Sequence, residues 1–140
     1  MINFTGAKIA LFYLDKLIVI LRDNKPGLDF ANMWDLPGGA REGNESPQAC
    51  VIREVQEELG IRLDPSAIIW EKTYPGMQDK KLTGYFMAAH ISPEQYRGIE
   101  FGDEGQGWKL MSPDDFMQNK TVVEPLKGRL HDYLASLGSK

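Results

Sequence analysis

The 140-residue sequence predicts an α/β fold, and three observations support this prediction. Short runs rich in Ile, Leu, Val and aromatic residues near the amino terminus have the composition of β-strands. A segment with clear helix start and stop signals follows them. Further strand-like runs then lead to a second amphipathic segment near the end of the chain. A chain of this length most simply forms one domain, residues 1–140, that can bury a sizeable core.

The chain begins with a predicted β-hairpin. Residues 8–13 and 17–21 are rich in aliphatic and aromatic side chains, and an Asp-Lys pair lies between them. Residues 23–33 contain proline, glycine and asparagine, so we expect a loop there. A second loop, residues 37–39, reads Pro-Gly-Gly and leads the chain toward the first helix.

The next element is predicted to be a helix of about 13 residues, close to the average helix length in globular proteins. Ser46 is a favourable N-cap, and Pro47 suits the first helical position. Gly60 is a favourable terminator just after the last turn. At about 100° per residue, one side of this helix is apolar and would pack on the sheet. That side comprises Ile52, Val55 and Leu59, with Ala49 at its edge.

Two more strands are predicted after this helix. Residues 67–74 and 82–91 have strand composition, and Pro75 and Gly76 form a turn between them. Residues 98–107 contain four glycines and several acidic residues, which predicts a flexible loop.

The end of the chain is predicted to be mainly helical. Residues 106–111 are compatible with a short strand, and Ser-Pro-Asp-Asp at 112–115 is a helix-start signal. Residues 123–137 form a predicted closing helix, because apolar side chains recur there at helical spacing. These side chains are Leu126, Leu130, Tyr133, Leu134 and Leu137.

Composition excludes several classes of partner. The 20 acidic and 16 basic residues give a formal net charge of −4, which argues against binding long nucleic acid, since that requires a basic patch. The single cysteine, Cys50, excludes an internal disulfide and fits a reducing, cytoplasmic location, where we expect it to be a small packed side chain. We expect no signal peptide and no membrane partner, because no apolar run approaches the roughly 20 residues of a membrane span.

Three glutamates give the predicted helix an acidic face opposite its apolar one. Glu54, Glu57 and Glu58 fall at i, i+3 and i+4, where like charges repel and weaken a helix. One interpretation is a solvated acidic surface. The other is a site for a divalent cation, because Mg²⁺ prefers oxygen ligands and leaves room for substrate phosphates.

The surrounding residues favour the cation site. Nine positions match, without a gap, the signature of the Nudix hydrolases, and a signature of this length is far more specific than a lone glycine motif. Segments before and after it resemble the MutT-like nucleoside triphosphate pyrophosphohydrolases in the same order. The nine positions are Gly39, Glu45, Arg53, Glu54, Val55, Glu57, Glu58, Gly60 and Ile61. The flanking segments are residues 34–39, 103–106, 111–112 and 124–125.

The resemblance implies an α/β/α sandwich with a mixed central sheet. It also implies a Mg²⁺-dependent, sometimes Mn²⁺-dependent, hydrolase that cleaves a pyrophosphate bond in a nucleoside diphosphate linked to a group X. Glu57 and Glu58 would be metal ligands, and Glu54 would be a ligand or the base that activates water. The Gly38 carbonyl and the Glu104 carboxylate would complete the metal site.

The resemblance and the local sequence suggest further roles. Arg53 would hold the carboxylates in place, most simply by pairing with Glu57 or Glu45. Arg22, at the end of a predicted strand, is a candidate for binding phosphate. Trp34, beside the Pro-Gly-Gly loop, is a candidate for stacking on a base or packing over the site, and aromatic faces suit this role. Phe30 and Tyr85 are further candidates for stacking.

The sequence leaves the substrate open. MutT-like enzymes that recognise an oxidised guanine place an asparagine directly before the late Glu-Pro pair, but Val123 occupies that position. Asn119 lies nearby and is a further candidate for binding substrate. Pro75 lies near the position of a proline in ADP-ribose hydrolases of the superfamily. We therefore keep three alternatives: a nucleoside triphosphate pyrophosphohydrolase, an ADP-ribose or nucleotide-sugar pyrophosphatase, and a nucleotide-binding domain without catalysis. We expect a monomer or a homodimer.

Overall fold

A computed structural model describes residues 3–138. Within these residues a mixed, seven-stranded sheet forms the centre of the fold. The strands are β1 (Phe4–Tyr13), β2 (Lys16–Leu21), β3 (Trp34–Asp35), β4 (Gly38–Ala40), β5 (Ile68–Pro75), β6 (Thr83–His90) and β7 (Gly107–Met111). The helices are α1 (Pro47–Leu59), α2 (Pro93–Arg97), α3 (Pro113–Gln118) and α4 (Pro125–Leu137), and Pro65–Ala67 forms a 3₁₀ turn.

The strand order is β3-β2-β1-β6-β5, with β4 also paired to β1 and β7 to β2. Strands β1 and β6 run parallel, whereas the other paired strands run antiparallel. The edge of β1 opposite β6 is shared between two partners. Gly6 to Lys8 pair with β4, and only Phe12 and Tyr13 pair with β2. A cavity opens in the gap between β2 and β4.

The two faces of the sheet are covered by different helices. Ile9 and Leu11 belong to the same core cluster as the buried residues of α1. Ala10 and Phe12 belong to the cluster that contains the buried residues of α3 and α4. Alternate residues of a strand point to opposite faces, so β1 contributes to both layers. The predicted α/β/α sandwich with a mixed central sheet is confirmed.

Helix α1 has the predicted bounds. The Ser46 hydroxyl accepts a hydrogen bond from the backbone N–H of Ala49 at 3.1 Å, and Gly60 ends the helix at φ +69°. The predicted apolar face needs a correction, because Ala49 is exposed and Ile52 is only partly buried. Because the helix packs against both β1 and β4, its buried face includes Cys50 and Val51 instead of Ala49 and Ile52. Its buried residues are Cys50, Val51, Val55 and Leu59.

The predicted closing helix begins later than expected. Helix α4 starts at Pro125, and the preceding Val123 is fully buried, with its N–H donating to the Trp34 carbonyl at 2.9 Å. Residues 121–123 thus run beside β3, where Trp34 and Val122 form a parallel bridge. Leu137 is 53% exposed, so the apolar stripe ends before the helix does.

Three short elements were not predicted: β3, β4 and α2. The two strands are two and three residues long and form by pairing with distant parts of the chain. For α2 a local signal exists, since Ser92 and Gln95 form a capping box. The remaining predicted strands and the hairpin are present, with ends shifted by a few residues.

The glycine-rich loop, residues 98–107, is tied to the rest of the fold at several points. The N–H groups of Glu100 and Gly102 each donate at 2.9 Å to the carbonyls of Leu59 and Glu58 at the end of α1. The Gln106 side chain donates to the Arg22 carbonyl at 2.7 Å. These bonds hold the loop between α1 and β2. No helix within residues 3–138 is long and apolar enough to cross a membrane.

Candidate active site

A cavity of about 660 Å³ lies between the split edge of the sheet and helix α1. Strands β1, β2 and β4, helix α1 and the loop 98–107 all contribute to its wall. Its polar lining residues include most of the predicted site and several acids that the sequence did not single out. They are Lys8, Arg22, Asp23, Asp35, Glu42, Glu54, Glu57, Glu58, Asp103 and Glu104.

Glu58 occupies the floor of this cavity. One of its carboxylate oxygens, Oε1, accepts a hydrogen bond from the N–H of Gly38 at 3.0 Å. Burial is the largest influence on this carboxyl group and raises its pKa to about 8. The cation of Lys8 lowers the pKa, whereas the negative charge of Glu54 raises it further. The free protein therefore holds a carboxyl group whose charge is costly without a cation beside it.

Glu54 lies against the backbone of β4. A Cβ atom at Gly39 would overlap the Glu54 carboxylate, so the carboxylate keeps this position only above a glycine. Burial raises the pKa of Glu54, and the nearby charges of Glu57 and Glu104 act in the same direction, while Arg53 opposes them. The structure thus brings Glu54, Glu58 and Glu104 close enough for their charges to interact.

Arg53 links the acidic helix to the strand and loop before it. Its guanidinium donates to both carboxylate oxygens of Glu45, at 3.0 and 2.8 Å. It also donates to Glu57 at 2.8 Å and to the Ala40 carbonyl at 2.9 Å. The hydrogen bonds from Arg53 are the main reason that the pKa of Glu45 falls to about 2. Arg53 therefore pairs with both of the partners considered from sequence.

A buried ionic network joins the basic residues of the cavity. Asp35 is 4% exposed, and its Oδ2 accepts from Lys8 Nζ at 2.9 Å and from Arg22 Nη1 at 3.0 Å. Lys8 Nζ also lies 3.4 Å from the Gly38 carbonyl. Sequence reasoning missed Lys8 and Asp35, because the two residues are 27 positions apart and neither belongs to the acidic signature. Arg22 was singled out, and the network places it in the cavity.

A second, smaller cavity of about 210 Å³ adjoins the first. The two cavities share Lys8, Arg22 and Asp35 among their lining residues. Phe30 and Tyr85, two of the aromatic candidates for base stacking, line the smaller one.

Two residues predicted to bind substrate lie elsewhere. Trp34 packs against the core on the α4 side of the sheet, and Lys109 Nζ lies 4.5 Å from the centre of its indole ring. The Asn119 side chain accepts hydrogen bonds from the N–H and hydroxyl of Thr121, both at 2.7 Å. Neither residue lines either of the two cavities. Cys50 is fully buried, and burial raises the pKa of its thiol to about 12, in keeping with the predicted packed side chain.

The comparison with protein families decides the identity of this fold and site. The model of the NUDIX domain matches residues 5–133, nearly the whole chain. The chain belongs to the NUDIX family. The predicted resemblance to MutT-like Nudix hydrolases is confirmed, and the protein acts on pyrophosphate bonds in nucleotides.

Three similar proteins place this Nudix hydrolase among its relatives. An 8-oxo-dGTP diphosphatase from Escherichia coli (strain K12) is 35% identical over 69% of this chain and 76% of its own length. The MutT protein from Methanosarcina mazei Go1 shares the fold, with a TM-score of 0.75 at 18% identity over 99% of this chain and 98% of its own.

A bifunctional NMN adenylyltransferase/ADP ribose pyrophosphatase from Francisella tularensis, complexed with AMP and a Mn ion, gives a TM-score of 0.76 at 22% identity. The match covers 96% of this chain and 42% of that protein, so the Nudix hydrolase spans less than half of that neighbour.

The donor groups of this Nudix hydrolase fit a divalent cation. Within residues 3–138, Oε2 of Glu58 and both carboxylate oxygens of Glu54 accept no hydrogen bond, and none of these atoms is sealed from solvent. Arg53 Nη1 lies 3.5 Å from Oε1 of Glu54. In the same part of the chain no three His, Cys, Asp or Glu side chains form a ready-made cation cage. Mg²⁺ usually takes one or two carboxylates and completes its coordination with water and substrate phosphates, so the free oxygens of Glu54 and Glu58 could serve as its ligands.

The raised pKa of Glu58 gives a prediction for the Nudix hydrolase without divalent cations. The pKa of the Glu58 carboxyl is near 4.5 in the unfolded chain and about 8 in the folded protein. Between these two pH values the folded protein binds more protons than the unfolded chain, so the free energy of unfolding falls as the pH rises from 4.5 to 8. Glu58→Gln removes this charge. In the presence of a chelator, we expect the variant to exceed the wild type in unfolding free energy by about 2 kcal/mol or more at pH 8.

At pH 4, where the Glu58 carboxyl is largely protonated in both states, the two proteins should unfold nearly alike. Urea denaturation at both pH values measures this difference. Equal stability of the two proteins at pH 8 would mean that Glu58 is not desolvated in the free protein.

Proposed function

We propose that this Nudix hydrolase cleaves nucleoside triphosphates to a nucleoside monophosphate and pyrophosphate, with Mg²⁺ or Mn²⁺ as cofactor. The observation that carries the proposal is a pair of partly buried carboxylates, Glu54 and Glu58, in a cavity that Lys8 and Arg22 also line. Glu54 and Glu58 would hold the cation directly, and Glu57, Glu104 and the carbonyl of Gly38 are the further ligands that the family resemblance implies.

A bound divalent cation would neutralise the phosphate oxygens, polarise phosphorus and acidify a water molecule. The chain itself supplies the groups that position substrate and accept a proton. Glu54 or Glu58 can take the proton from the attacking water, because both carboxyl groups line the cavity in which the water would be held. Arg53 does not face the reacting atoms in this scheme. It fixes Glu57 and Glu45 and lies 3.5 Å from Glu54 Oε1, so it holds the carboxylates in place.

Arg22 is the proposed phosphate-binding residue. Its Nη1 and Nε are engaged by Asp35 and by the Asp29 carbonyl, and its Nη2 has no hydrogen-bond partner within residues 3–138. The guanidinium is therefore held by two bonds and still offers donors to a phosphate, and guanidinium groups match phosphate geometry well. Lys8 contributes positive charge at the same wall, although its ammonium already contacts three protein oxygens.

Triphosphates are favoured over other nucleotides because the segments around the signature resemble MutT-like enzymes and the E. coli relative is an 8-oxo-dGTP diphosphatase. A specific preference for oxidised guanine is not part of the proposal. Val123, which replaces the asparagine expected for that preference, is fully buried in the core. Asn119 is engaged by Thr121 in a local turn and would have to move to reach a substrate in either cavity.

An ADP-ribose or nucleotide-sugar pyrophosphatase is the second candidate. The cation site would be the same, and the group beyond the second phosphate would differ. Val123 and Pro75 motivate this candidate, although the Pro75 carbonyl accepts a hydrogen bond from Arg129 and has a structural role. A nucleotide-binding domain without catalysis is the third candidate, and the complete set of signature glutamates disfavours it.

Analysis of the phosphate products tests the proposal. The protein is incubated with Mg²⁺ and, separately, Mn²⁺, and with canonical and oxidised nucleoside triphosphates, ADP-ribose, nucleotide sugars and dinucleoside polyphosphates. We expect triphosphates to yield a monophosphate and pyrophosphate, with no reaction in a chelator. Turnover of ADP-ribose or nucleotide sugars alone would favour the second candidate. Nucleotide binding without turnover of any compound would favour the third.

A further inference from the structure

The smaller cavity contains a buried cation without a negative partner. Arg129, on helix α4, is 5% exposed. Its Nη2 donates to the Pro75 carbonyl at 2.8 Å, and its guanidinium carbon lies 4.9 Å from the centre of the Tyr74 ring. No carboxylate within residues 3–138 lies within ion-pair distance of it. Burying a charge in this way is costly unless a partner compensates it.

The remaining N–H groups of Arg129 open into the cavity. Nε and Nη1 have no hydrogen-bond partner within residues 3–138. Every fully buried side-chain nitrogen in that range does have a partner, so Nε and Nη1 are not fully buried. These atoms must therefore reach accessible space, and the smaller cavity is the space that Arg129 lines. Gly84 lies beside them, since a Cβ atom there would be in ordinary contact with Nη1, at 3.6 Å.

The size and lining of this cavity indicate which part of a ligand it accepts. Its volume of about 210 Å³ is below the roughly 300–1,000 Å³ of complete ligand sites, so it fits a portion of a ligand. Phe30, Met77 and Tyr85 give it apolar and aromatic walls, as expected for a planar ring. It joins the larger cavity at Lys8 and Arg22, on the side where the phosphates of the proposed substrate would lie.

We propose that Arg129 determines specificity by binding the carbonyl oxygen of a keto nucleobase, so that the site prefers guanine, hypoxanthine and uracil to adenine and cytosine. The inference rests on the proposed function for the orientation of the nucleotide. A guanidinium offers only donors, and guanine presents two acceptors, O6 and N7, side by side. Adenine and cytosine present an amino group at the corresponding position, which places a donor against a donor.

Equilibrium binding of nucleoside monophosphates tests this assignment without relying on hydrolysis. IMP and AMP differ at the 6-keto or 6-amino group, and UMP and CMP differ in the same way at position 4. Binding of each is measured by NMR titration to the wild type, to Arg129→Met and to Arg129→Lys. Arg97→Met is the matched control, since Arg97 is exposed on α2 and lines neither cavity.

The wild type and the control are expected to bind IMP over AMP, and UMP over CMP, by about tenfold to a hundredfold, the usual discrimination of a good arginine–base pair. In Arg129→Met both ratios should fall close to one. Arg129→Lys should retain part of the preference, because an ammonium keeps the charge but loses the planar fork. The methionine variant should remain folded, since replacing a buried, unpaired charge with an apolar side chain of similar length need not destabilise a core.

Equal binding of keto and amino nucleotides by the wild type would overturn the proposal, as would unchanged ratios in both Arg129 variants. Failure of all the monophosphates to bind the folded wild type would also overturn it. If Arg129→Met fails to fold, Arg129→Lys carries the comparison. The protein could show the Arg129-dependent preference for keto bases and yet hydrolyse no nucleotide. That result would refute the proposed hydrolysis and leave this inference standing, so failure of the proposed function can be distinguished from failure of the inference.

Discussion

Replacing Glu58 with glutamine is expected to lower the turnover number about a thousandfold while leaving the protein folded, because loss of a catalytic base or of a cation-binding carboxylate removes several kcal/mol of transition-state stabilisation. Glutamine has nearly the shape of glutamate and can still accept the hydrogen bond from Gly38. The measurement is steady-state hydrolysis of the best substrate of the nucleotide panel, at several concentrations of Mg²⁺.

The matched control is Glu100→Gln, because Glu100 is an exposed glutamate that lines neither cavity. It should retain the wild-type rate. Activity of Glu58→Gln within a few-fold of the wild type would exclude the proposed site. Circular dichroism and the pH-dependent unfolding described above would separate a chemical defect from a folding defect.

Glu54→Gln should also reduce turnover by orders of magnitude. The dependence of the remaining rate on Mg²⁺ concentration can distinguish a cation ligand from a catalytic base at this position. If Glu54 chiefly holds the cation, the variant should require a higher Mg²⁺ concentration and recover part of its rate there. If Glu54 is the base, the rate should stay low at saturating Mg²⁺ and lose the wild-type dependence on pH. The same comparison applied to Glu58→Gln would identify which of the two glutamates accepts the proton.

Helix α1 could be predicted to the residue because its signals are local. Ser46, Pro47 and Gly60 define its ends within the sequence itself. The acidic face was equally accessible, since Glu54, Glu57 and Glu58 fall at i, i+3 and i+4. The two sheet faces and the split at β1 depend on long-range pairing, so the sequence indicated strands but could not place β3 and β4.

The residues missed at the site are those whose partners lie far along the chain. Lys8 and Asp35 form their ion pair across 27 positions, and each alone reads as an ordinary surface charge. Arg129 lies next to Leu130 in the predicted apolar stripe, but a buried arginine without a carboxylate contradicts the usual pattern. Trp34 and Asn119 show the opposite case. Each lies near signature segments in sequence, yet its side chain is engaged in the core or in a local turn.

Substitution by alanine should lower the stability of the protein at one glycine of β4, Gly38, and the turnover at the other, Gly39. At Gly38 the backbone has φ +132°, and a Cβ atom would overlap the backbone of Ala7. Gly38→Ala is therefore expected to lower the free energy of unfolding by about 2 kcal/mol or more, because neither the strained conformation nor the neighbouring strand can yield cheaply.

At Gly39 the obstacle is the flexible end of Glu54, which can swing away. Gly39→Ala is expected to fold with nearly normal stability and to lose about a hundredfold in turnover, because displacing a reacting group by about 1 Å has an effect of this size. Gly128→Ala is the control, since a Cβ atom at this exposed helical position meets no other atom within 4 Å. It should retain full turnover and gain stability, as alanine favours helices over glycine.

Thermal unfolding and steady-state kinetics on the three variants separate these effects. Normal turnover in Gly39→Ala would mean that Glu54 acts from a position other than the one it occupies against β4. A loss of stability in Gly39→Ala as large as that in Gly38→Ala would mean that the Glu54 carboxylate is fixed by the fold and cannot move aside. The expected result, a stable protein with about a hundredfold lower turnover, would tie the glycine of the signature to the placement of one carboxylate.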